Sequence, residues 1–119
     1  MVWCGYIGAR MKLLELLKAV DAEVLWAGAD PDVHNVVASD LMSDVLMMDV
    51  EQPLLLTSLV SDQSLRTADV VGALGVLVAN GKVPPPDMVE LAKHLGIPLA
   101  RTEFRKFEAS VALGKALGR

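Results

Sequence analysis

Apolar residues form two kinds of pattern, which take turns along the chain: one is typical of helices and the other of buried strands. Between residues 11 and 20, apolar side chains recur every three or four positions, which predicts a helix with one buried face. Further helices are predicted over residues 40–48, 62–73, 86–96 and 103–118, and strands over residues 22–28, 33–39, 53–59, 75–80 and 97–102. In the last helix, Phe104, Phe107 and Val111 are expected to share one face.

The strands from residue 53 onward are continuous apolar runs rather than alternating ones. Strands that are buried on both faces have this pattern, and parallel sheets are covered by helices on both faces. The order of elements therefore predicts an α/β fold: a three-layer sandwich in which helices flank a mostly parallel sheet. Residues 11–119 are expected to form a single domain. Residues 1–10 fit no periodic pattern and are interpreted as an N-terminal tail or a wrongly assigned start.

Composition narrows the classes of protein to consider. Apolar residues make up 53% of the chain and aromatic residues only 4%, so the core must be aliphatic. The net charge of −4 gives no support to nucleic acid as a partner. Basic residues come close together only between 101 and 106, where Glu103 lies among them, and we interpret that segment as a solvated helix start.

Cysteine content and hydropathy bear on the compartment. The single cysteine, Cys4, cannot form an internal disulfide, so a cytoplasmic location in a reducing environment is the simpler expectation. No apolar run approaches the ~20 residues that are needed to cross a bilayer, and no membrane association is predicted.

Small polar residues follow four of the predicted strands. In an open α/β sheet, ligands bind outside the carboxyl ends of the strands, where helix N-termini favour anions. This pattern predicts a ligand site formed by Ser39, Asp40, Thr57, Ser58, Asn80, Gly81 and Thr102. The same residue types also cap helices and form turns whether or not a ligand binds. Both interpretations remain open at the level of sequence.

The sequence fits none of the catalytic motifs that its glycines, lysines and histidines suggest. The segment around Lys82 departs from the P-loop pattern, because Gly75 and Gly81 are too far apart and Val83 stands where a hydroxyl is needed. No G-x-G-x-x-G occurs. Neither His34 nor His94 has a second ligand at metal-binding spacing. We therefore expect no catalytic residue, no metal and no cofactor.

The predicted helix over residues 40–48 is apolar on nearly all sides, which indicates burial on more than one side. In a chain of this size the second side can face a partner subunit. The residues assigned to this dimer interface are Leu41, Met42, Val45 and Met48, and ordinary core packing is the alternative.

Several segments together resemble the DRTGG domain family. They are MKLLELLKAVDAEVLWAG, VVASDLMSDVL, PLLLTSL and, most specifically, ELAKHLGIPLARTEFRKFEA. The resemblance covers roughly residues 11–117. The family includes the N-terminal domain of the bacterial HPr kinase/phosphorylase, which this chain also resembles. At the motifs that name the family, this chain has Asp62-Gln63 and Ala79-Asn80-Gly81, so the Arg and the Thr are absent.

The resemblance implies an α/β fold, dimerisation and regulation, with no established activity for the isolated domain. The first hypothesis is a non-catalytic regulatory or interaction module that acts as a homodimer, with a partner protein in a regulatory system. The alternative is a small-molecule sensor that binds a nucleotide or another phosphorylated ligand at the carboxyl ends of the strands.

Overall fold

The computed structural model describes residues 10–118. The strands are β1 (Met11–Lys12), β2 (Glu23–Trp26), β3 (Asp32–Val33), β4 (Val36–Ala38), β5 (Leu54–Thr57), β6 (Gly75–Val78) and β7 (Leu99–Arg101). The helices are α1 (Leu13–Lys18), α2 (Met42–Met47), α3 (Asp62–Val71), α4 (Pro86–Leu95) and α5 (Lys106–Ala116). The prediction for residues 1–10 concerns a segment of which residues 1–9 lie outside the described part of the chain.

Five strands form the central sheet in the order β2-β7-β6-β5-β4. The strands β4, β5, β6 and β7 run parallel to one another, and β2 pairs antiparallel with β7 at one side of the sheet. The prediction of a mostly parallel sheet is therefore confirmed. The short strands β1 and β3 pair with each other in a separate two-stranded sheet.

Two aliphatic cores lie on opposite faces of the central sheet. The first joins α1 and α5 to the sheet, and the second joins α2, α3 and α4 to its other face. Alternate residues of β5 divide between the cores, since Leu54 and Leu56 belong to the first and Leu55 to the second. This arrangement confirms the three-layer sandwich and explains why β5 and β6 are continuous apolar runs: all eight of their residues are buried.

Two element boundaries differ from the predictions for local reasons. The helix predicted from residue 11 begins at Leu13, because residues 11 and 12 pair with β3 and the Asp30 carboxylate accepts the Leu14 N–H at 2.9 Å. The strand predicted over residues 33–39 is two strands, since β3 pairs with β1 whereas β4 pairs with β5.

The apolar face predicted for the last helix is not the buried one. The helix α5 packs on the sheet through Ala109 and Leu113, which are fully buried. Phe107 and Val111 are 77% and 41% exposed, and Phe104 precedes the helix. Ala109 and Leu113 are four positions apart and share one side of the helix, whereas Phe107 and Val111 share the opposite side and face outward.

The helix α2 is apolar on two sides, as predicted, but the assignment of its residues needs correction. Met42 and Val45 are 3% and 2% exposed and belong to the second core, so they are not available to a partner subunit. The apolar side chains on the outside are Leu41, Leu46, Met47 and Met48, which we call the α2 surface.

Candidate functional site

The carboxyl ends of β4, β5, β6 and β7 meet at one end of the sheet, because the four strands are parallel neighbours. Each of the residues selected from the sequence ends or follows one of these strands. The structure therefore brings the predicted site residues to a common place, which we call the carboxyl end of the sheet. What each side chain contacts there divides them into two groups.

The first group converges on the carboxylate of Asp40. Its Oδ1 accepts hydrogen bonds from the Ser58 N–H at 2.6 Å and from the Thr57 hydroxyl at 3.1 Å. Its Oδ2 accepts one from the Ser58 hydroxyl at 2.6 Å and lies 2.5 Å from the Nζ of Lys106. Thr57 and Ser58 are buried, whereas the side chains of Asp40 and Lys106 are 43% and 31% exposed.

These contacts shift the pKa of Asp40. Partial burial by itself raises the pKa of the carboxyl, but the ammonium of Lys106 and the hydrogen bonds from Ser58 and Thr57 outweigh it. The pKa of Asp40 is therefore held well below its ordinary value of 3.8, so the side chain is an anion at neutral pH.

The contribution of Asp40 to stability follows from the direction of this shift. Because the folded-state pKa is lowered, the stabilisation is complete above the unfolded-state pKa near 3.8 and is lost as the pH falls from there toward the folded value. We expect Asp40→Asn to lower the unfolding free energy by about 1 kcal/mol at pH 7, since the pair is partly exposed. Urea unfolding at pH 7 and at pH 3 measures the difference, which should shrink at the lower pH. An equal difference at both pH values would contradict the assignment.

The second group is bonded within the fold. Thr102 is 1% exposed, and its hydroxyl donates to the Val20 carbonyl at 2.6 Å and accepts the Phe104 N–H at 3.1 Å. The Oγ of Ser39 accepts the Leu41 N–H at 3.1 Å. These two hydroxyls follow the capping and turn interpretation rather than the ligand one.

Asn80 and Gly81 form a turn after β6 in which both residues have positive φ, 66° and 70°. The side-chain oxygen of Asn80 accepts the N–H of Lys106 at 3.2 Å, so it satisfies a free donor in the first turn of α5. A Cβ on Gly81 would lie 2.6 Å from the Oε1 of Glu103. Both positions are therefore explained by the local backbone and by capping.

Arg101 is a structural residue that the sequence analysis did not select. Its guanidinium donates to the carbonyls of Gly81 and Lys82 at 2.9 and 3.1 Å, and it contacts Glu23 at 3.3 Å and Glu103 at 2.5 Å. The side chain is 14% exposed. Arg101 thereby fixes the turn after β6 to β7 and to the start of β2.

Lys106 belongs to the contacts around Asp40 but was not among the residues predicted from the sequence. It was placed in a solvated helix start, yet α5 begins close enough to the end of β4 for its Nζ to reach Asp40. The signal in the sequence is the strand exit at residue 102 followed by a basic residue at the first position of a helix. The sequence pattern alone does not show that Lys106 lies near Asp40, because this depends on the order of the strands in the sheet.

The described part of the chain was compared with the requirements of two further features, a metal site and a membrane-spanning helix. Within residues 10–118 no group of three or more His, Cys, Asp or Glu side chains is placed to hold a metal ion. None of the helices in that range combines the length and the apolar character that crossing a bilayer requires.

Comparison with known proteins gives a fold neighbour. No protein-family model matches the sequence, and no curated protein matches it. Among solved structures, the CBS and DRTGG domains of the regulatory region of Clostridium perfringens pyrophosphatase superpose with a TM-score of 0.71 at 18% identity. The match covers 87% of this chain.

The chain has a DRTGG-type fold. It spans about half of the length of that neighbour, since the match covers 46% of the other chain. The crystal structure of the neighbour is a complex with its activator, diadenosine tetraphosphate. At this identity the likeness concerns the fold, which agrees with the resemblance found in the sequence.

Proposed function

We propose that this chain with a DRTGG-type fold is a non-catalytic regulatory module. The observation that carries the proposal is the superposition of 87% of the chain on the regulatory region of a pyrophosphatase. The contacts at the carboxyl end of the sheet support a non-catalytic role. Thr102, Asn80 and Arg101 are hydrogen-bonded to other parts of the chain and hold the fold together. The single cysteine favours a cytoplasmic setting for such a module, where it would act on a partner protein.

The module acts as a homodimer in this proposal, and the contact is the α2 surface. Leu46 and Met47 lie on α2, and Leu41 and Met48 flank it. These four side chains are between 45% and 84% exposed, whereas Met42 and Val45 of the same helix are in the core. Exposed apolar side chains grouped on one element are typical of interaction sites, and methionine adapts well to a facing surface. A second copy is the proposed occupant because symmetric dimers are the commonest soluble oligomers.

Sedimentation equilibrium at micromolar concentration tests the dimer. The wild type should sediment at twice the chain mass of 12.7 kDa. Met47→Glu places a charge on the α2 surface and should weaken dimerisation by at least about tenfold, or about 1.4 kcal/mol. Phe107→Glu is the matched control, because Phe107 is 77% exposed but lies on α5 in the other helical layer. A wild type that stays monomeric, or a dimer that is lost only in the control, would contradict the proposal.

A second candidate function is a sensor of nucleotides or other phosphorylated ligands at the carboxyl end of the sheet. The specific observation in its favour is the set of four donors around Asp40, from Thr57, Ser58 and Lys106. The activator bound to the neighbouring regulatory region is itself a nucleotide, which adds weight to this class of ligand.

Thermal unfolding of the wild type with and without diadenosine tetraphosphate, ATP and sugar phosphates tests the sensor. A ligand present at about 100 times its Kd should raise the unfolding free energy by about 2.7 kcal/mol. Adenosine, which lacks phosphate, is the control and should give a smaller shift. If none of the phosphorylated compounds stabilises the chain at millimolar concentration, the sensor is ruled out while the dimer proposal is unaffected.

A further inference from the structure

The donors around Asp40 converge on one carboxylate, and we call them the donor cradle (Thr57, Ser58 and Lys106). It offers a backbone N–H, two hydroxyls and an ammonium, and every one of these contacts is 3.1 Å or shorter. Proteins hold phosphate oxygens with the same set of donors, and charge-assisted bonds of this kind are the strong ones. Here each oxygen of the Asp40 carboxylate receives two of the four donors.

The donor cradle is more buried than the carboxylate that fills it. Thr57 is 0% exposed at the end of β5, and Ser58 is 8% exposed. Lys106 is the first residue of α5, the end of a helix where the backbone dipole favours anions. Asp40, by contrast, lies between β4 and α2 outside any helix or strand, and its side chain is 43% exposed.

We propose that the donor cradle binds a phosphate group of a ligand and that Asp40 occupies it in the unliganded chain as an internal substitute for that group. This inference rests on the sensor candidate and assigns the roles within it: Thr57, Ser58 and Lys106 hold the phosphate, and Asp40 competes with it. Asp40 cannot share the donor cradle with a phosphate, because two anions would then occupy one set of donors.

Displacement of Asp40 has a structural consequence. The Asp40 carboxylate links the segment before α2 to β5 and to α5. A phosphate that takes its place releases that segment, and Leu41 of the α2 surface is the next residue along the chain. Ligand binding is thereby coupled to the surface that we propose for dimerisation, and the coupling works equally in both directions.

Titration with inorganic diphosphate at constant ionic strength tests the inference. The readouts are calorimetry and the amide chemical shift of Ser58. Asp40→Ala empties the donor cradle and should bind diphosphate about tenfold more tightly than the wild type. The double variant Asp40→Ala/Lys106→Met should lose that gain, whereas Asp40→Ala/Lys82→Met should keep it, since Lys82 is an exposed lysine elsewhere at the same end of the sheet. If Asp40→Ala does not fold, Asp40→Asn, which keeps a hydrogen-bonding side chain, should bind diphosphate more tightly than the wild type.

Two outcomes would overturn the inference. Diphosphate binding that is no tighter in either Asp40 variant than in the wild type would show that Asp40 is a structural link only. Equal binding by Asp40→Ala with and without Lys106→Met would place the anion elsewhere.

Failure of the sensor candidate can be told apart from these outcomes. Nucleotide binding to the wild type that persists in Lys106→Met would support a ligand site and reject the donor cradle. Lys106-dependent diphosphate binding without any nucleotide binding would keep the donor cradle and reject the nucleotide as ligand.

Discussion

Leu77→Ala will lower the free energy of unfolding by roughly 3 kcal/mol and the melting temperature by roughly 10–15 °C. Leu77 is in β6, the middle strand of the sheet, and is 0% exposed. Its side chain belongs to the first core, between the sheet and the helices α1 and α5. Because the sheet is fixed on its other face by the second core, the structure has little freedom to close the cavity that the substitution leaves.

Val70→Ala is the control for this prediction, since it truncates an apolar side chain that is 74% exposed on α3, away from the α2 surface. Its cost should stay below about 1 kcal/mol. Urea and thermal unfolding followed by circular dichroism measure both variants. Similar losses at the two positions would contradict the two-core arrangement.

Thr102→Val will lower the free energy of unfolding by roughly 2–3 kcal/mol. The substitution keeps the shape of a side chain that is 1% exposed, but removes the hydroxyl that bridges the Val20 carbonyl and the Phe104 N–H. A buried polar group that loses its partner costs about 1–3 kcal/mol, and here two groups lose theirs. The measurement is the denaturant midpoint of the variant at an unchanged m-value.

Thr102→Ser distinguishes the hydroxyl from the methyl group, because it keeps the hydrogen bonds and loses only one carbon. It should retain more of the stability than Thr102→Val. A Thr102→Val protein as stable as the wild type would mean that the hydroxyl has no structural role, which would reopen Thr102 as a ligand contact.

The fold was largely predictable because its strands carry an unusually plain signal. The strands β5 and β6 are covered on both faces, so their burial appears directly as continuous apolar runs. The orientation of β2 was not predictable from such a signal. The neighbour of β2 is β7, the last strand in the chain, and a pairing between such distant segments is not encoded in the local sequence of either strand.

The sequence predicted where the candidate site lies, but not which partners its side chains contact. Strand order brings the polar exits together, and this requires only parallel neighbours. Which of them face a ligand depends on pairs far apart in sequence, such as Asn80 with the N–H of Lys106, 26 positions away, and Thr102 with Val20, 82 positions away. Capping and ligand binding use the same side chains, so only the partners separate the two roles.

The pairing of β2 with β7 sets an order on synthesis. Glu23 and Arg101, which face each other across this pair, are 78 positions apart in the chain. As the chain leaves the ribosome from its N-terminus, β2 emerges early and waits without its neighbour until nearly the whole sheet has followed. In that state the unpaired backbone N–H and C=O groups of β2 can pair with another nascent chain. When β7 pairs with β2, it therefore completes the sheet and also removes the opportunity for β2 to pair with another chain.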